Sequence, residues 1–89
     1  MSVHIEVLGP GCARCQTLYE NAKAAVEELG IEARVDKIDD VAVMVMRGVM
    51  ESPALMVNGK LVLAGHLATP HTLGEIITAS IRDLRVQRG

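Results

Sequence analysis

A change of period across a three-residue break constrains this chain more than any other feature. Val3, Ile5 and Val7 alternate with His4 and Glu6, which predicts a strand ending near Leu8. Gly9-Pro10-Gly11 interrupts that pattern as a loop. From Ala13 the spacing becomes helical: Leu18, Ala22, Ala25, Val26 and Leu29 fall on one stripe, with Glu20, Lys23, Glu27 and Glu28 off it. Gly30 suits the position just past a helix end. Ile31, Ala33 and Val35 then alternate with Glu32, Arg34 and Asp36, a second strand with one polar face that suits a sheet edge. Strand, helix and strand at these lengths make a crossover unit with a parallel, right-handed strand pair.

The second half reads less evenly. Val41 to Met46 is rich in β-branched residues, which favours a strand. Asp39 or Asp40 can cap a helix, however, and Val41, Met44 and Val45 are helically spaced. The surrounding pattern decides for a short helix ending at Gly48. Ala54 to Val57 is a short apolar strand. Asn58-Gly59 is a strong two-residue hairpin signal, and Leu61 to Ala64 returns from it. A last helix opens either at Thr69-Pro70, with proline in the first turn, or at Thr72, whose spacing to Glu75 fits a capping box. Its buried stripe is Leu73, Ile76, Ile77, Ser80, Ile81 and Leu84. Arg82, Arg85 and Arg88 complement the negative end of its dipole. The order is βαβαββα, one domain over 1–89, with 86–89 expected to fray.

Composition narrows the function. Apolar residues make up 49% of the 89 and charged residues 22%, too apolar for a disordered chain. The net charge is −2, with no basic footprint for nucleic acid or an anionic membrane. Tyr19 is the one aromatic residue, which nearly excludes a base-stacking platform for single-stranded nucleic acid. The core must be aliphatic, with the five methionines filling its irregular gaps. No run approaches the roughly 18–20 apolar residues of a membrane helix. Met1 to Val7 carries His4 and Glu6 and does not read as a signal peptide. A cytoplasmic location is expected.

The chain has two cysteines, Cys12 and Cys15, at the predicted handover from strand to helix. Unpaired backbone N–H groups and the dipole at a helix start stabilise a thiolate, so Cys12 should have the lower pKa of the pair. Cys15 lies three residues on, nearly one turn along the same side. The spacing suits two-step thiol–disulfide exchange, in which Cys15 resolves a mixed disulfide formed at Cys12. Competing readings are a structural disulfide, which a tiny loop and a cytoplasmic setting disfavour, half of a soft-metal site, and coincidence.

The cysteine pair is joined downstream by Gly48-Val49-Met50-Glu51-Ser52-Pro53 and Asn58-Gly59-Lys60. Together these resemble the thioredoxin fold, and more closely the small thioredoxin-like "redox-active disulfide" proteins of archaea and bacteria, over about residues 3 to 84. The resemblance implies a three-layer α/β sandwich around a mixed four-stranded sheet. It also implies Cys12 as the attacking and Cys15 as the resolving cysteine, and a cis Pro53 facing the pair. The backbone of Ser52 would then pair with substrate. Taken alone, Pro53 reads as an ordinary trans proline opening a strand, since only about 5–6% of X–Pro bonds are cis. Thioredoxin proper has a tryptophan before its first cysteine and Gly-Pro between the two. Here Gly11 precedes Cys12 and Ala13-Arg14 intervene, so substrate choice and potential do not carry over. Glu6 stands six residues before Cys12, the offset of a buried proton-accepting carboxylate in thioredoxin. Its own residues predict a surface or partly covered glutamate, because Glu is rarely buried without a partner. Arg14, His4, His66 and His71 read as solvated side chains.

The function expected is a small thiol–disulfide oxidoreductase. It would need no bound cofactor and no metal. Its partners would be a disulfide-bearing protein or small thiol substrate and a reductase or thiol donor, with no nucleic acid and no membrane. The alternative is a Cu(I)- or Zn-binding module using the same cysteines, as in heavy-metal-associated domains of order βαββαβ. A third reading is a redox sensor or binding partner without turnover.

Overall fold

The computed structural model describes residues 3–11 and 13–88, with side chains through residue 82. Its elements are β1 (Val3–Leu8), α1 (Ala13–Leu29), β2 (Ala33–Ile38), α2 (Val41–Met46), β3 (Ala54–Val57), β4 (Lys60–Ala64) and α3 (Pro70–Arg88). The four strands form one mixed sheet in the order β2-β1-β3-β4. The first crossover pairs β1 and β2 in parallel, while β3 is antiparallel to both β1 and β4. A helix between the second and third strands departs from the βαββαβ order of the metal-binding alternative.

The two faces of β1 divide the molecule. Val3, Ile5 and Val7 point to the larger core, with Leu55 and Val57 of β3, Leu18, Ala22 and Ala25 of α1, and Leu73 and Ile77 of α3. Leu8 points to the smaller one, with Met44 of α2, Val49, Ala54 and Met56. Helices α1 and α3 therefore cover one face and the six-residue α2 covers the other, which makes three layers.

Local rules explain most boundaries. Thr69 Oγ1 accepts from the Thr72 N–H at 3.2 Å, so Thr69 caps α3 and Pro70 takes the first helical position. The start at Thr72 is not used. Asp40 Oδ1 accepts from the Ala42 N–H at 2.9 Å and caps α2, which settles residues 41–46 as helix against their β propensity. Asn58 and Gly59 both have positive φ, 50° and 84°, the backbone a two-residue hairpin with the right twist requires. The strand expected from Ile31 starts instead at Ala33 and runs on to Ile38, because its parallel register ends with Leu8 opposite Ile38. β2 lies at an edge, as its polar face predicts. The expectation for the methionines fails in part. Met44 and Met56 are buried, but Met46 and Met50 are 85% and 87% exposed.

Candidate functional site

Three segments meet at the C-terminal end of β1: the loop 9–11, the first turn of α1, and the residues leading into β3. Cys15 is the third residue of α1 and lies on its buried stripe, three positions before Leu18. It is 1% exposed. What holds it there is Gly9. A β-carbon built on Gly9 would fall 2.0 Å from Cys15 Sγ and 3.7 Å from Ser52 Cβ. The absent side chain is the space the sulfur fills, and Ser52 borders the same space. The loop itself is anchored by the Gly9 N–H, which donates to the Ile38 carbonyl at 2.9 Å.

The Ser52–Pro53 peptide bond is cis, as the resemblance implies. Pro53 is buried and Ser52 exposed. The Pro53 carbonyl accepts from the Gly65 N–H at 2.9 Å, which ties the loop after β4 to the entry of β3. Glu51 folds over that loop, with its Oε2 2.2 Å from where a Gly65 β-carbon would lie. Cys12 lies outside the described residues, and so does the side chain of Leu84. Arg14 and His66 are exposed, as expected.

Glu6 corrects its own expectation. It is 5% exposed rather than a surface residue, and Arg47 Nη1 donates to its Oε2. Arg47 is the residue that ends α2, so the buried charge has the partner its burial requires. Nothing in the local sequence pairs two residues 41 apart; only the fold does. Beside it, His4 Nε2 and Arg34 Nε each lie 2.8 Å from Asp36 Oδ2. The hydrogen bond from His4 holds the Asp36 carboxyl below its ordinary value; desolvation opposes it, and the hydrogen bond from Arg34 adds to the lowering. These charges line the sheet face that α2 covers only in part.

Gly9 is the site residue that sequence reasoning missed. It reads simply as a loop breaker. The available signal was helical spacing, which places Cys15 on the buried stripe of α1 and so demands room beside the preceding strand.

An α/β sandwich with a cysteine at the first helix start and a cis-proline entering the third strand has the architecture of thioredoxin-like proteins. The thioredoxin domain family matches residues 3–78, and the chain belongs to that family. It is 38% identical over 74 residues to a thioredoxin of Methanothermobacter thermautotrophicus, covering 83% of this chain and 96% of that one. It is 42% identical over 64 residues to a thioredoxin of Methanocaldococcus jannaschii, covering 66% and 74%. Among solved structures, the N21Q mutant thioredoxin of Halobacterium salinarum superposes with a TM-score of 0.61 at 27% identity, covering 86% of this chain and 73% of the other.

Proposed function

We propose that the protein is a thiol–disulfide oxidoreductase working through Cys12 and Cys15, with Ser52 and Pro53 forming the substrate platform. The observation that carries this reading is the packing of Cys15. The side chain of a cysteine that is 1% exposed cannot meet a disulfide arriving from solvent. It can meet a sulfur held one helical turn before it. Cys15 therefore suits the resolving step, which leaves the attack to Cys12, immediately before α1 in the sequence.

The reaction balances within the pair. The Cys12 thiolate attacks one sulfur of a substrate disulfide, a Cys12–substrate bond forms, and the first substrate thiolate leaves. The Cys15 thiolate then attacks Cys12 Sγ, the second substrate thiolate leaves, and Cys12 and Cys15 are joined. Two electrons have passed from dithiol to substrate. A reductase or an external dithiol returns them. In this reading residues 1–89 act as one domain and the protein works in the cytoplasm, where the pair would be kept reduced. Among the described residues, no helix is long and apolar enough to cross a membrane.

The test is turnover of a protein disulfide with excess dithiol as reductant. Catalysed reduction, with two thiols lost from the protein per oxidation, is the expected result. Loss of one thiol or none on oxidation, or no acceleration over dithiol alone, overturns the reading.

A further inference from the structure

Position 9 needs a missing side chain, not a special backbone. Gly9 is not among the glycines with positive φ, so an alanine there meets no backbone strain. What it meets is the sulfur of Cys15, 2.0 Å from where the β-carbon would lie. A β-carbon stands about 1.5 Å from its α-carbon. Cys15 Sγ therefore lies within about 3.5 Å of Gly9 Cα, in contact with the backbone. Ser52 Cβ is 3.7 Å from the same point, so the cis-proline loop walls the seat on another side. The strand and the helix are both held in place. The Gly9 N–H donates to the Ile38 carbonyl, where β2 ends its pairing opposite Leu8. Helix α1 is anchored through Leu18, Ala22 and Ala25, all fully buried. The movable part is the Cys15 side chain. A methyl at position 9 would make its sulfur retreat from 2.0 Å to at least 3.4 Å, where ordinary contact begins.

We propose that Gly9 is a positioning residue for the resolving step: its bare α-carbon seats Cys15 Sγ for attack on Cys12, and a side chain there stalls the protein as a mixed disulfide. The inference rests on the thiol–disulfide reading and separates its two steps. In the first, the Cys12 thiolate attacks the substrate disulfide and Cys15 takes no part. In the second, the Cys15 thiolate forms a bond to Cys12 Sγ, the Cys12–substrate bond breaks, and the substrate thiolate leaves with the electron pair. Only the second step needs Cys15 Sγ in its seat. A reacting atom misplaced by about 1 Å can cost about a hundredfold in rate.

The experiment mixes the reduced full-length protein with oxidised 2-mercaptoethanol, quenches in acid at intervals, and separates dithiol, mixed disulfide and intramolecular disulfide by mass. Gly9→Ala should keep the second-order rate of attack within about twofold and slow the first-order resolution at least about tenfold, so that the mixed disulfide accumulates. Thr69→Ala, which weakens the start of α3 instead, should leave both rates unchanged; lost stability alone therefore does not mimic the effect. Wild-type rates for both steps in Gly9→Ala, or both slowed in equal proportion, overturn the proposal and leave the oxidoreductase reading standing. A wild type that forms no intramolecular disulfide overturns both. Should Gly9→Ala not fold, the double variant Gly9→Ala, Cys15→Ala decides. It removes the sulfur and leaves only the β-carbon contact at 3.0 Å, so its denaturation midpoint should lie above that of Gly9→Ala alone. A double variant no more stable than the single one overturns the seat.

Discussion

At the residue scale, two positions carry more than their sequence neighbourhood suggests. Gly9 exists to leave room for Cys15 Sγ, 2.0 Å from where its β-carbon would stand. Gly9→Ala should cost about 1–3 kcal/mol, the usual range for overpacking a filled site, read as a lower denaturation midpoint at unchanged slope. Wild-type stability would show that the helix start shifts without cost. Asp36 gives a pH signature. The His4 and Arg34 contacts lower its folded pKa, so the unfolded chain binds more protons as pH falls through the carboxylate range. Stability from these contacts is therefore full above the ordinary carboxylate value near 3.8 and is lost as pH drops through the lowered folded value. Asp36→Asn should flatten the acid limb of a stability-against-pH curve; an unchanged limb would assign it to other groups. Glu6 shows why some site chemistry is illegible in sequence. Its burial depends on Arg47, 41 residues away, and no local pattern reports such a pair.

At the element scale, legibility follows the strength of the repeating pattern. α1 spans Ala13–Leu29 as its stripe and its closing Gly30 predict, because 17 residues show a helical period several times over. The Asn58-Gly59 hairpin was equally plain, since few residue pairs tolerate positive φ at both positions. α2 was hard for the opposite reason. All six of its residues are apolar, so no polar face marks which side turns outward, and the exposure of Val45 and Met46 was hidden. The ends of β2 were missed because an alternating pattern does not fix where its parallel partner stops. Cap chemistry is a prediction at this scale. Thr69→Ala removes the Oγ1 acceptor of the Thr72 N–H and should cost about 1 kcal/mol. Calorimetry would show this as a lower Tm, and no change would mean that the hydroxyl contact at Thr69 adds nothing to the start of α3.

At the scale of the whole molecule, the sheet is covered unequally. Two long helices close one face over an aliphatic core, and six residues of α2 lie on the other. The thinly covered face keeps its charges as pairs, Glu6 with Arg47 and Asp36 with His4 and Arg34. The proposed exchange site belongs at the strand ends, where Gly9, Cys15 and Ser52 come together. The central claim is a directional exchange in which Cys12 attacks and buried Cys15 resolves, and trapping tests it most directly. Cys15→Ser, mixed with a disulfide-bearing substrate, should accumulate a mixed disulfide at Cys12 that only added thiol releases, while Cys12→Ser under the same conditions should accumulate none. Equal trapping by the two variants, or trapping through Cys15 alone, would contradict the account.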